Sequence, residues 1–377
     1  MAKMKTTNLE TELSLFKYDS LEQLPEEYRT LSEHERTERI ERSLDQLDDD
    51  VVVLGHNYQR REIVEHADFV GDSYQLSVEA ANADAEYVVF CGVTFMAESA
   101  DIITDDDQTV ILPSMEASCP MAGMAEALQV DSAWEKIESS APDAEIIPIT
   151  YMNSYADLKA FCAEQGGAVC TSSNAHRVFE WALEQGDKIL FLPDKHLGEN
   201  TAHRLGLEGS TAEWNPWNAE EQDGNAVAES DIILWDGYCQ VHERFTVDHI
   251  ESVRGDHPEA QVVVHPECRR QVVESADVVG STATICETVA DADPGETWAI
   301  GTEIHLVRHL QRWHPEVSVV PLCGDACMDC NAMRQTDPNY LTWVLEELVS
   351  GRERNVIEVP VQEKELAMLA LDRMLEL

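Results

Sequence analysis

The sequence predicts an α/β protein of three similar units, whose parallel sheets are covered by helices and face one shared central site. Three observations carry that expectation. Short apolar, β-rich runs alternate with helix-like segments along the whole chain, the pattern of parallel sheets buried under helices. One order of features occurs three times: strand, polar tip, helix, strand, hydroxyl tip, helix, strand, helix, strand, thiol. Spacing is kept as well, with 17 residues from His56 to Ser73, 17 from His265 to Thr282, and 21 from Tyr151 to Ser172. A pattern that returns in fixed order marks an internal repeat.

Taken in order, residues 31–47 show helical spacing and lead into the first unit. Its strands are read at 51–58, 69–73 and 87–92, with a fourth at 109–112 before Cys119. The second unit repeats this at 146–153, 168–173 and 188–193, with the run 231–235 before Cys239. The third has 262–267, 277–282 and 297–301, then 317–322 before Cys323, Cys327 and Cys330. Domain boundaries are set at 1–124, 125–245 and 246–334. An acidic surface insertion is expected near 207–230. Residues 335–377 read as helix, short strand (355–359) and helix, packing back on the first domain.

Charge is the unusual feature of the composition. With 73 Asp and Glu against 26 Lys and Arg, the formal net charge is -47 and the pI about 4.4. The acids are spread along the chain, as a halophilic solvated surface requires; an acidic face for a basic partner is the competing reading. So anionic a surface excludes nucleic acid as a partner. No apolar run approaches a membrane span, and the first residues lack a signal peptide's apolar core, so a cytoplasmic protein without membrane contact is expected.

Ten cysteines in a long cytoplasmic chain point to metal or catalysis more than to disulfides. Cys91, Cys162, Cys170, Cys268 and Cys286 lie in or beside apolar runs and read as small buried residues. Cys119, Cys239 and the Cys323/Cys327/Cys330 group instead follow strands, one site per unit. Three distant thiols brought to one centre suit an iron–sulfur cluster or a structural zinc. Solitary ligands favour a cluster with an open metal position, able to act as a Lewis acid. The CxxxCxxC spacing at 323–330 also occurs in radical S-adenosylmethionine enzymes, though there the triplet usually follows an early strand.

The polar tips extend the same site. His56, Tyr58, Tyr151, Asn153, His265 and Glu267 all follow apolar strands, beyond the carboxyl ends where ligands bind in such sheets. Ser73, Ser172 with Ser173, and Ser281 with Thr282 each precede a helix, where helix capping competes with binding of carboxylate or phosphate groups. A small, multiply anionic substrate is the expected guest.

The matched segments include Gly55-His-Asn-Tyr-Gln59, Gly71-Asp-Ser73, Gly92-Val-Thr-Phe-Met-Ala-Glu98, Ser118-Cys-Pro-Met-Ala122 and Tyr151-Met-Asn-Ser154. They continue through Cys170-Thr-Ser-Ser-Asn-Ala175, Trp235-x-Gly-x-Cys239 with His242, His265-Pro-Glu-Cys268, Gly280-Ser-Thr282, Gly301-Thr-Glu303, and Cys330 with Met333. Together, from about residue 50 to 335, they resemble the quinolinate synthase A family of de novo NAD biosynthesis. The resemblance implies three pseudo-threefold-related α/β/α domains around a [4Fe-4S] cluster with one open iron position. It implies Cys119, Cys239 and Cys330 as ligands. Iminoaspartate and dihydroxyacetone phosphate are the implied substrates, with transient contact to the enzyme that supplies iminoaspartate. Tyr58, His265 and Glu267 become acid–base groups. His56, Ser73, Tyr151, Met152, Asn153, Ser172, Pro266 and Thr282 become substrate contacts. Cys323 and Cys327 depart from the family pattern, as a redox-sensitive disulfide or as spare thiols. A polycarboxylate hydratase using the same open iron is the alternative enzyme.

Overall fold

The computed structural model describes residues 24–377 other than 208, 219–221 and 325–326. The start of the chain, read above for a signal segment, lies outside the described residues. A capping box of Ser32 and Glu35 opens the first long helix, Glu33–Leu47. The first sheet then forms from β1 (Val51–His56), β2 (Phe69–Gly71), β3 (Tyr87–Cys91) and β4 (Thr109–Ile111). The second holds β5 (Ile146–Tyr151), β6 (Ala168–Cys170), β7 (Lys188–Leu192), β8 (Thr211–Trp214) and β9 (Ile232–Trp235). The third holds β10 (Gln261–Val264), β11 (Val278–Val279), β12 (Thr297–Gly301) and β13 (Ser318–Pro321).

The strand orders are β2-β1-β3-β4, β6-β5-β7-β9-β8 and β11-β10-β12-β13, and every ladder within them is parallel. The α/β class and the three parallel sheets are therefore those expected. All six residues of β1 are buried, because helices cover both faces of its sheet. Val52 and Leu54 pack with Val88 and Phe90 in one core layer, while Val51 and Val53 pack with Val89 and the helix Pro338–Val349 in the other. Register carries the repeat to the site: His56 pairs with Gly71 and Tyr151 with Cys170, so each first tip stands beside a second.

Two expectations need correction. The 207–230 segment is not only a surface excursion: β8 extends the second sheet along β9, and Trp214 is buried. Its alternation Thr-Ala-Glu-Trp turns Ala212 and Trp214 inward, where burial of an indole outweighs the acidic surroundings. The end of the chain also divides. Helix Pro338–Val349 lies against Glu33–Leu47, but the last helix, Val361–Glu376, lies mainly against Ala156–Glu164 and β6 of the second lobe, with a lesser contact to Thr94–Ile103 of the first. Ala367, Ala370, Leu371 and Met374 form its apolar stripe and enter the second lobe's core. Between the two helices, the expected strand is a single antiparallel bridge, Val356 to Ile111.

Candidate active site

The loops beyond the strand ends enclose one cavity that touches all three lobes. Cys119, Cys239 and Cys330 line it, with His56, Tyr58, Ser73, Tyr151, Met152, Asn153, Ser172, His265, Glu267 and Thr282. Of the substrate contacts expected from the sequence, Pro266 alone is turned away. It lines an adjoining chamber, and its carbonyl accepts a 2.8 Å hydrogen bond from Asn200 Nδ2.

Local structure explains how each group reaches the cavity. Capping, the competing role for the hydroxyls, holds for Ser281 but not for Ser73 or Thr282. Asp72 accepts from the Tyr74 and Gln75 amides at the head of Ser73–Asn82, and Ser281 accepts from the Thr284 amide at the head of Thr282–Ala290. Ser73 and Thr282 therefore occupy first helical positions, with their hydroxyls on the cavity wall. The loop bearing Cys239 folds closely onto the loop after β7. A Cβ on Gly237 would stand 2.4 Å from the Pro193 carbonyl oxygen, so glycine alone fits there. Trp235 Nε1 donates to the Met124 carbonyl at 2.6 Å, tying this loop to the first lobe beside Cys119.

In the third lobe a disulfide joins Cys323 to Cys327, leaving Cys330 free on the cavity wall. Its amide donates to Glu303 Oε1 at 3.1 Å. Of the thiols read as core filler, Cys91, Cys162, Cys170 and Cys268 are buried and Cys286 is partly exposed. Burial raises the cavity thiols: Cys119 to about 12, with Cys330 adding to it; Cys330 to about 11, with Glu303 adding; and Cys239 well above its ordinary value, with Glu267 and then the other two thiols adding.

Glu267 is the electrostatic centre. Its Oε2 lies 2.6 Å from His242 Nδ1 and 3.6 Å from His265 Nδ1. Burial pushes this carboxyl up, but the His265 and His242 rings, with the close approach of His242 and Tyr151, outweigh it and hold the group below the usual range. Burial also drives His56 and His265 down to about 3, so both rings are neutral. Their Nδ1 atoms accept the amides of Tyr58 (3.0 Å) and Glu267 (3.3 Å), which leaves the ring proton on Nε2 in each. Tyr58 and Tyr151 are pushed well above 10 by burial and by Glu267, and stay protonated.

Two residues of this network were given no role from the sequence. Thr302 Oγ1 lies 2.7 Å from Tyr58 OH and 3.0 Å from His242 Nε2, so Tyr58, Thr302, His242 and Glu267 form one chain of polar contacts. Both stand in matched segments, but only their contacts across the lobes join them to Tyr58 and Glu267. Cys239, His242 and Glu267 also place one ligand atom each within 4.8 Å of one another, a group that could hold a metal.

Residues 38–376 match the family model described as quinolinate synthetase A protein. The chain belongs to that family. Among proteins named quinolinate synthase, it is 79% identical over 374 residues to that of Halobacterium salinarum, covering 99% of this chain and 100% of the relative. It is 76% identical to that of Haloarcula marismortui over the same length. With that of Corynebacterium glutamicum it shares 47% identity, covering 93% of this chain and 90% of the relative. Membership of the quinolinate synthetase A family makes the chain an enzyme, and its two salt-dwelling relatives accord with its acidic surface. Among the described residues, no helix is long and apolar enough to cross a membrane.

Proposed function

We propose that this cavity synthesises quinolinate in the cytoplasm, for de novo NAD biosynthesis, by condensing iminoaspartate with dihydroxyacetone phosphate and releasing phosphate and water. One observation carries the reading: three distant thiols share a cavity with hydroxyl, phenol and imidazole groups from all three lobes, in a chain of this family. Cys119, Cys239 and Cys330 fit a [4Fe-4S] cluster as its three protein ligands. Such buried thiols stay protonated unless positive charge compensates the thiolates, and bound metal provides it. When bound, the cluster supplies a Lewis-acidic iron for a substrate hydroxyl or carboxylate.

The remaining chemistry belongs to the chain. Ser73, Ser172 and Thr282 offer hydroxyls next to helix amino ends, which suits the carboxylates and phosphate of the two substrates. His56 donates from Nε2, Tyr151 and Asn153 contact the substrate from the second lobe, and Met152 completes the wall. Pro266 acts indirectly, its carbonyl held by Asn200 so that the His265–Glu267 turn keeps its place. Glu267, ionised and beside two imidazoles, accepts substrate protons, His265 steadies the substrate by donating from Nε2, and Tyr58, still protonated, returns a proton as an acid. The contacts through His242 and Thr302 give the proton a path between them.

The test is an anaerobic assay with the two substrates. Quinolinate formed by metal-loaded protein supports the reading, and its absence from such protein overturns it.

A further inference from the structure

Glu98 ends one of the matched segments, yet it does not line the active cavity. It sits inside the helix Thr94–Ile103 of the first lobe and is fully buried, as is Lys159 in the helix Ala156–Glu164 of the second. A buried carboxylate and a buried ammonium are costly, so what they hold matters. Both hold the same turn. Glu98 Oε2 accepts the Ala156 amide at 2.9 Å, and Lys159 Nζ donates to the Ser154 carbonyl.

That turn continues directly from Tyr151, Met152 and Asn153, the tip of β5 in the cavity wall. Ser154 Oγ donates to the Tyr151 carbonyl at 2.8 Å, and the Ser154 amide to the Met152 carbonyl at 2.9 Å. Helix Ala156–Glu164 has no cap of its own, since Tyr155 at its head makes no side-chain capping bond. Glu98 supplies that cap from the neighbouring lobe, and its negative charge suits the helix amino end. On the other side, Lys159 Nζ stands 5.8 Å from the centre of the Phe95 ring, which itself lines the cavity.

We infer that Glu98 and Lys159 are positioning residues: a clamp between two lobes that sets Tyr151 and Asn153 against the substrate. This rests on the proposed role of those two residues in binding. Neither clamp residue touches the reacting atoms. Removing either frees the 151–156 turn to shift, so the expected loss is in ligand affinity, with the metal centre left intact.

The test measures quinolinate affinity by calorimetry on anaerobic, metal-loaded protein, with iron content and melting temperature recorded for each variant. Glu98→Ala is expected to weaken quinolinate binding by about tenfold or more at unchanged iron content. Glu98→Gln keeps an acceptor oxygen for the Ala156 amide and is expected to recover affinity to within about threefold of wild type. Should Glu98→Ala not fold, Ser154→Ala removes only the hydroxyl link to Tyr151 and is expected to cost about threefold at an unchanged melting temperature. A loss in Asn153→Ala with none in Glu98→Ala or Ser154→Ala overturns the clamp alone. Metal-loaded wild type that fails to bind quinolinate overturns the functional reading, and the clamp with it.

Discussion

Glu267 Oε2 lies 2.6 Å from His242 Nδ1, and both side chains are almost wholly buried. The pair matters because the opposite ring nitrogen of His242 continues to Thr302 and thence to Tyr58. A carboxylate on one side of the cavity and a phenol on the other thus share a single polar path, built from the loops after β1, β9, β10 and β12.

Thr302→Val tests that path, since it keeps the side chain's shape and removes only the hydroxyl. The substituted chain is expected to lose roughly ten- to hundredfold in kcat, below the hundred- to ten-thousandfold typical of a group that transfers the proton itself. Substrate KM should stay within about threefold, because Thr302 does not line the cavity. Iron content serves as the control. An unchanged kcat would mean that protons reach Tyr58 by another route.

The thiols divide into two classes with opposite expected behaviour. Cys119→Ala, Cys239→Ala and Cys330→Ala should each lose most bound iron from an expected content of about four per chain. Cys323→Ala and Cys327→Ala should keep it, because those two sulfurs are joined to each other and do not line the cavity. Iron and sulfide analysis after anaerobic purification, beside an electron-resonance spectrum, reads both classes. Iron retained in Cys330→Ala but lost in Cys327→Ala would reassign the third ligand.

Much of this arrangement is legible in the sequence for one physical reason. Parallel strands buried on both faces read as unbroken apolar runs, and whatever polar residue follows such a run stands at the sheet's carboxyl edge. Hence His56, Tyr151, His265, Cys119 and Cys239 can be placed at one shared edge from the pattern, whereas Cys330 is told from Cys323 and Cys327 only by the family resemblance. Relations between lobes leave no such mark. Tyr58 and Thr302 are 244 residues apart, and nothing local to either announces the contact. Trp214 hid β8 because the strand is short, edge-lying and followed by Pro216, a combination that reads as a loop. The last helix touches the expected first lobe only at its edge and packs mainly on the second, because an amphipathic stripe states that a face is buried without stating against what.

Acid should destabilise the fold through its neutral histidines. His56 and His265 titrate at 6.5 when unfolded and at about 3 when buried. Between those values the unfolded chain binds more protons, so stability is fully present above 6.5 and is lost as the pH falls toward 3. Each histidine contributes a slope of up to about 1.4 kcal/mol per pH unit in that window. Melting curves in fixed KCl at about pH 7 and about pH 5.5 should therefore show a smaller acid loss for His56→Gln than for wild type. Equal losses in the two proteins would mean that His56 titrates normally in the folded chain.

Salt should act in the opposite sense to its effect on most surface ion pairs. The runs Asp48–Asp50 and 105–107 are exposed, and the chain as a whole carries a formal net charge of -47. At about 0.1 M salt the screening length is about 10 Å, so neighbouring carboxylates repel across the surface; at about 1 M it shrinks to about 3 Å. Compacting the chain brings these charges together, so screening favours the folded state more than the unfolded one. The melting temperature is accordingly expected to climb by roughly 5 °C between about 0.1 M and about 2 M KCl, at about 1.3 °C per kcal/mol for a chain of this size. Choline chloride at equal ionic strength separates screening from specific potassium binding: an equal climb assigns the effect to charge repulsion. A flat or falling melting temperature in both salts would count against a halophilic surface and favour the acidic face as a docking site for a basic partner.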